Sequence, residues 1–285
     1  MAASASAGAS EAGFFEVRPG IAEIDSYEML FYGHYPKYCE RAANACLPSH
    51  AACALLQRAE VVKYTQRVKW NDAVRIKSTR VDGESTLLHE WFIDTKLVHV
   101  CLASYTIRGA DAFDAPLADK RTMMRIGALR KEGAQLFAPP ASSYRRDLFT
   151  VYPDMLGGMA GGSALGLPTV MDFFERQRTE YIGGQAELER LKASEGILIV
   201  VYTIQQLELH AVASIAPRQQ IEVSSGVTIE HGKVYCVHQS VRSVATNELL
   251  AQAHIKLVFV KDGQVVPAPE AVLNRLDKSS YADVS

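Results

Sequence analysis

The chain has 285 residues, of which 48% are hydrophobic and 22% are charged, and its formal net charge is −2. This balance is typical of a globular protein with one large core or two smaller ones. It excludes a strongly basic surface for nucleic acid, and no polybasic run or long apolar stretch indicates a membrane surface or span. Five cysteines without a CxxC pair favour a reducing compartment over a disulfide framework or a metal site.

Residues 1–12 are small and polar and include no basic residue. A secretory signal needs a basic start followed by an apolar run, and a mitochondrial address needs arginines. We therefore expect a disordered tail on a cytoplasmic protein. The Ala/Ser richness of the tail leaves an organelle address open.

A first repeat is predicted over residues 13–108. A short strand-like run, 14–24, precedes a helix whose apolar residues recur at a three-and-four spacing and which ends at Pro48. From Val62 the period changes to two, which predicts a strand that reaches Trp70 with three basic residues on one face, Lys63, Arg67 and Lys69. Asp-Gly and Asp-Thr-Lys turns then separate three more predicted strands, at 73–81, 86–93 and 97–107.

Residues 109–143 are loop-like, with a short helix predicted near 123–131, and we interpret them as a connector. The same order then recurs over residues 144–285, as a strand, a Gly-rich loop, a helix and four strands near 196–210, 219–230, 233–245 and 249–261. The chain therefore contains an internal repeat of a helix followed by an antiparallel meander. Pairing of the two halves would hide their open sheet edges. The predicted fold is α+β, with two antiparallel sheets that each wrap around a central helix and are joined into one extended sheet.

The stretch DSYEMLFYGHYPKYCERA at 25–42 resembles the signature of the hotdog-fold acyl-CoA thioesterases of the 4-hydroxybenzoyl-CoA type. The segments VMDFFERQRTEYI and VFVKDGQVVPAPEAV are similar to the helix and the last strand of that family. The resemblance covers nearly all of residues 14–275 as two copies, a double hotdog. It implies a hydrolase of acyl-CoA or acyl-carrier-protein thioesters that needs no cofactor or metal. Assembly of such double-hotdog chains into a homo-oligomer is compatible with the sequence.

In that family the acid ahead of the helix attacks the thioester carbonyl or activates a water, and this role carries over to Asp25. The oxyanion donor carries over to the amide of Tyr32, at a helix start where unpaired N–H groups stabilise developing negative charge. Another branch of the fold uses a helical Glu, so Glu40 is a third catalytic candidate. Structural roles are the alternative to catalytic ones for two of these residues. Asp25 could cap a helix, and Glu40 could satisfy a buried backbone group or an Arg side chain.

Four residues are predicted to bind substrate: His34, Tyr35, Lys63 and Arg67. The two basic ones would meet the phosphates of coenzyme A or an acyl carrier protein, and the alternative for them is a merely solvated face. His34 could instead act as a helix cap.

The match to the family is incomplete at two places. Glu28 stands where the family has Gly. In the second copy Glu175 aligns with Glu40, but Ala160 occupies the position of the acid, and the nearest upstream acid, Asp154, is separated by GGMAGG. We favour loss of the second acid, with the degenerate half still shaping the pocket for Asp25.

Two other functions stay open. The string FYGHYP at 31–36 is similar to the Gly-His-Phe-Pro string of hydroxyacyl-thioester dehydratases, with His34 as the base. The other alternative is a non-catalytic hotdog subunit that binds acyl groups or supports assembly, favoured by Glu28 and by the missing second acid.

Overall fold

The computed structural model describes residues 14–25, 28–136, 145–152, 155–157, 164–210, 215–274 and 283–284. The chain divides into two compact units, Met1–Ala134 and Gln135–Ser285. The predicted tail at 1–12 lies outside the described residues.

The first unit is an antiparallel sheet with a helix on each face. Its elements are β1 (Phe14–Val17), a 3-10 turn (Ile21–Glu23), α1 (His34–Ala45), β2 (Cys53–Tyr64), β3 (Val74–Arg80), β4 (Thr86–Ile93), β5 (Lys96–Arg108) and α2 (Lys120–Gly133). The strand order is β1-β3-β4-β5-β2. Strands β3, β4 and β5 form a meander, and β2 pairs with the far side of β5, because α1 carries the chain across the sheet before β2 begins.

Strand β4 shows how the two faces are divided. Trp91 points to the α1 side, where its ring stacks on Tyr35. Leu88 points to the other side and packs with Ile126 and Leu129 of α2. Alternate residues of a strand face opposite sides of a sheet, so one strand serves both helices. Residues 109–134, which include α2, therefore belong to the first unit.

The strand predicted from Val62 to Trp70 is wrong in its bounds. Strand β2 begins at Cys53, and its pairing with β5 shifts between Leu56 and Arg58 and again between Ala59 and Val61. These irregularities break the two-residue period, which hid the strand in the sequence. Beyond Tyr64 the chain leaves the sheet as the loop 65–73, so Arg67 and Lys69 do not share a strand face with Lys63. The first predicted strand is also too long, because β1 ends at Val17.

The second unit repeats the topology of the first. Its elements are β6 (Arg145–Thr150), β7 (Leu156–Gly157), β8 (Ala164–Leu165), α3 (Leu167–Ile182), α4 (Gln185–Arg190), β9 (Ile197–Leu209), β10 (Gln220–Glu230), β11 (Val234–Ser243), β12 (Leu249–Lys261), β13 (Gln264–Val266), α5 (Glu270–Leu273) and β14 (Asp283–Val284). The order β6-β10-β11-β12-β9 matches β1-β3-β4-β5-β2 strand for strand. The predicted internal repeat and the α+β class are confirmed.

Several short elements were not predicted from the sequence. Helix α4 and the π-helical turn Leu191–Glu195 follow α3 and seal the sheet through the buried Leu191. No helix in the described part of the chain is long and apolar enough to cross a membrane.

Candidate active site

Asp25 closes a turn ahead of α1. Its carboxylate Oδ1 accepts the N–H of Met29 at 3.2 Å, its own N–H donates to the Met29 carbonyl at 2.8 Å, and its carbonyl accepts the N–H of Glu28 at 3.1 Å. Glu28 has φ 61°, the left-handed region that glycine occupies without strain, which explains why the resembling family has Gly there. Asp25 therefore caps its own turn and not the helix.

The N-terminus of α1 is left without a capping side chain, because its N-cap residue is Gly33. The N–H of His34 donates to the Phe31 carbonyl at 2.9 Å, and that of Tyr35 donates to the Tyr32 carbonyl at 3.3 Å. The amide of Gly33, which is buried, donates to no acceptor among the described residues. A buried N–H at a helix start is a ready donor for a developing oxyanion.

Tyr35, the second residue of α1, links Asp25 to an aromatic cluster. Its ring stacks on Trp91 with centroids 4.8 Å apart and lies edge-on to Tyr64 at 4.8 Å. The hydroxyl of Tyr64 donates to the Tyr32 carbonyl at 3.1 Å and so fixes the turn that opens the helix. Burial raises the pKa of Tyr35, and the negative charge of Asp25 adds to that rise. Asp25 is thus close enough to the Tyr35 hydroxyl to influence its ionisation.

His34 is half-buried at the first helical position, with its ring edge-on to Phe31 at 5.6 Å. Burial lowers its pKa, and the positive charges of Lys37 and Arg41 on the next helical turns lower it further, against the attraction of Glu23. The imidazole is therefore neutral at pH 7 and available as a proton acceptor.

Glu23 is an acid that the sequence analysis missed. Its carboxylate accepts the hydroxyl of Tyr38, the N–H of Gly20 at 2.9 Å and the ammonium of Lys37 at 3.5 Å. Burial alone would raise its pKa, but these donors hold the pKa below the ordinary value. Three donors on one carboxylate indicate a structural tie between the 3-10 turn and α1. Only its place two residues before Asp25 could have drawn attention to it.

Glu40 faces the sheet from the middle of α1. Its Oε2 accepts the N–H of Leu56 at 2.9 Å, next to the first pairing shift of β2. Burial raises the pKa of Glu40 more than this hydrogen bond lowers it. The carboxylate thus satisfies a backbone group at a strand irregularity, the structural role that the sequence left open.

The two predicted basic residues do not share one face of the sheet. The ammonium of Lys63 pairs with Glu132 of α2 at 2.8 Å, on the opposite face. Arg67 lies exposed in the loop 65–73. Tyr32, His34 and Tyr35 thus lie together at the start of α1, Asp25 lies in the turn ahead of it, and Lys63 lies apart.

The second unit holds a buried polar network at the position of Glu40. Glu175 pairs with Arg178, which donates to Gln239 Oε1 at 2.6 Å. Gln239 donates to Ser225 Oγ at 2.7 Å, and Ser225 donates to Gln177. Asp154 and Ala160 lie outside the described residues, so the fate of the second acid stays a prediction.

Beside this network a small apolar pocket of about 20 Å³, roughly the room that one water molecule needs, lies between α3 and the sheet. Arg178 and Ser225 are polar residues of its wall, and the remaining lining comes from Tyr181, Ile182, Val227, Tyr235, Val237, Leu257, Phe259 and Val272.

No protein-family model and no curated protein sequence matches the chain. Solved structures do match its fold. A Lactobacillus plantarum protein assigned as an oleoyl thioesterase has a TM-score of 0.59 at 7% identity, over 88% of this chain and 97% of its own. An acyl-ACP thioesterase from Bacteroides thetaiotaomicron has a TM-score of 0.55 at 9% identity, over 87% and 97%. An acyl-CoA thioesterase II from Mycobacterium marinum has a TM-score of 0.50 at 12% identity, over 91% and 98%. The chain has the hotdog fold, in two copies.

Proposed function

We propose that the chain hydrolyses acyl thioesters at the N-terminus of α1, with Asp25 as the reacting acid. The observation that carries this function is the pairing of a turn-held carboxylate with a helix start that has no capping side chain and a buried amide at Gly33. The thioesterase names of the three solved structures with the same fold support it.

Two reaction courses fit this arrangement. In the first, a carboxylate oxygen of Asp25 attacks the carbonyl carbon, the C–S bond breaks, and water then hydrolyses the acyl-aspartyl anhydride. In the second, Asp25 takes a proton from a water as that water attacks, and the proton passes to the leaving thiolate. In both, the amides of Tyr32 and Gly33 would stabilise the oxyanion, a contribution of roughly 10²–10³-fold in rate per donor. Tyr35 and its aromatic partners would form the wall of the site.

The test replaces Asp25 by Asn, which keeps the turn, and follows thiol release from a panel of acyl-CoA and acyl-carrier-protein substrates. We expect a loss of roughly 10²–10⁴-fold in kcat/KM. Asp119→Asn is the matched control, because Asp119 also accepts a backbone N–H, that of Thr122 at 2.7 Å, but caps α2. Hydrolysis that survives in the Asp25 variant would refute the proposed role. Single turnover in ¹⁸O-labelled water that places label in the Asp25 carboxylate would establish the first course, since label enters that carboxylate only when water attacks the aspartyl carbonyl of the anhydride.

One further function has a specific observation in its favour. The neutral, half-buried His34 is suited to the base of a hydroxyacyl-thioester dehydratase. Hydration of an enoyl-CoA that is lost in His34→Ala and kept in Asp25→Asn would favour that reaction over hydrolysis. The cytoplasmic location and the homo-oligomer stay predictions.

A further inference from the structure

Trp70 stands on the loop 65–73 and is 61% exposed. A single exposed apolar residue is ordinary on a protein surface. This one differs because the turn beneath it is rigid, because cations flank it and because its loop is tied to the candidate site. Each of these features bears on what the indole could bind.

The turn that carries Trp70 is fixed by several hydrogen bonds. The N–H of Lys69 donates to Asp72 Oδ2 at 2.6 Å, and the N–H of Asp72 donates back to the Lys69 carbonyl at 3.2 Å. Asn71, with φ 64°, donates its N–H to the Pro19 carbonyl at 3.4 Å. The indole is therefore held out on an ordered support, which lowers the entropy lost on binding.

The same loop contacts the segment that carries Asp25. The N–H of Leu30 donates to the Val68 carbonyl at 2.7 Å, and Val68 is fully buried. Leu30 directly follows the turn that Asp25 closes. The Trp70 loop therefore lies next to the segment that leads into α1.

The charges around Trp70 favour an anion. Arg67 and Lys69 are exposed on either side of Val68, and Arg18 reaches the loop through a contact of 3.4 Å to the Asn71 carbonyl. Asp72 is the single acid of the segment 65–73, and its carboxylate is engaged by the backbone of Lys69. An aromatic platform with cations beside it matches a nucleotide, whose base stacks and whose phosphates pair.

We infer, building on the proposed hydrolysis of acyl thioesters, that the Trp70 loop binds the nucleotide end of coenzyme A. The adenine stacks on the Trp70 indole, and Arg67 and Lys69 pair with the ribose phosphate and the diphosphate. The acidic surface of a carrier protein would also pair with these cations. It has no purine to place on the indole, so the exposed Trp favours coenzyme A.

The experiment titrates the full chain with free coenzyme A. Because free coenzyme A has no thioester, its binding is measured separately from hydrolysis. The chain has two tryptophans, and Trp91 is fully buried, so stacking of adenine quenches the emission of Trp70 selectively. We expect a saturable quench in the wild type. Calorimetry should show a loss of about tenfold in affinity for Trp70→Ala and near-normal affinity for Trp70→Phe, which keeps a stacking ring.

A double variant, Arg67→Ala with Lys69→Ala, should also weaken binding and reduce its dependence on salt. 3′-Dephospho-coenzyme A should bind the wild type less tightly than coenzyme A. Matched controls are Lys96→Ala for an exposed cation and Met124→Ala for an exposed apolar residue, 72% exposed on α2, and both should bind normally.

Absence of a saturable quench in the wild type, or equal affinity in Trp70→Ala, would overturn the inference even if Asp25-dependent hydrolysis is found. Selective loss of acyl-carrier-protein hydrolysis in the double variant, with acyl-CoA hydrolysis intact, would assign the surface to a carrier protein instead. Loss of self-association in Trp70→Ala without a change in coenzyme A affinity would make it an interface between copies of the chain.

Discussion

Glu175 and Arg178 form an ion pair on α3 whose two ends differ in exposure. The Arg178 side chain is 5% exposed, whereas that of Glu175 is 39% exposed. Glu175 aligns with Glu40, so the sequence left a catalytic role open for it. If its role is to balance the buried guanidinium, Glu175→Gln should change stability and leave catalysis unaltered.

The size of the effect follows from that difference in exposure. Removal of one partner from a fully buried pair costs about 3–5 kcal/mol, and an exposed pair contributes about 0–1 kcal/mol. Arg178 keeps its hydrogen bond to Gln239 at 2.6 Å, and water reaches Glu175. We therefore expect Glu175→Gln to lower the free energy of unfolding by about 2 kcal/mol, which corresponds to a fall in Tm of roughly 4–8 °C for a unit of this size.

Calorimetry and denaturant titration of the full chain measure this change. Glu180→Gln is the matched control, because it is the same substitution at an exposed position of the same helix. The double variant Glu175→Gln with Arg178→Met should recover part of the loss, since it removes the unbalanced charge. Equal stability of the Glu175 and Glu180 variants would refute the reasoning, and so would a large fall in thiol release from a fully folded Glu175 variant.

Two more predictions concern the first unit. The pKa of Glu40 is raised above 4.5, so the folded chain holds a proton that the unfolded chain releases. The free energy of unfolding of the wild type should fall as pH rises from the unfolded-state pKa of Glu40 through its folded-state pKa. Denaturant titrations at several pH values in that window should show a weaker pH dependence of this free energy for Glu40→Gln. The same pH dependence in both proteins would contradict the raised pKa of Glu40. Glu28, at φ 61°, is strained. Glu28→Gly should hold stability or raise it by up to about 1 kcal/mol, and the β-branched Glu28→Val should lower it by about 1–2 kcal/mol; equal melting of both variants would exclude strain there.

Most of the fold prediction came from the periodicity of hydrophobic residues. Helices α1 and α3 bury one face each, so local pattern and tertiary burial agree there. In β10 burial alternates only over residues 220–223, and the residues from Val223 to Ile229 are all buried. Strand β2 failed because its pairing with β5 shifts twice, and a shift moves the inward positions by one residue. The role of α2 was also missed, since its short apolar stripe, Ile126 and Leu129, has meaning only against the reverse face of the sheet.

The candidate site divides in the same way. Asp25, Tyr32, His34 and Tyr35 lie within one short segment, so a motif could group them, and the structure keeps them together. Glu23 contacts Tyr38 and Lys37 because the 3-10 turn folds back onto α1. No spacing pattern in the sequence predicts that contact. Lys63 was grouped with Arg67 by a strand alternation that ends at Tyr64, so the pair is separated.

The sequence by itself determined the duplicated order of helix and strands and the acid ahead of the first helix, because both depend on residues that are neighbours along the chain. Only the tertiary structure decided which groups those acids meet. Glu40 accepts a strand amide, Glu175 pairs with a buried guanidinium, and Asp25 accepts the amide of Met29 in the turn ahead of α1. Hydrogen bonds and ion pairs act over a few ångströms in space, and that proximity is set by sheet pairing and packing between residues far apart in the sequence.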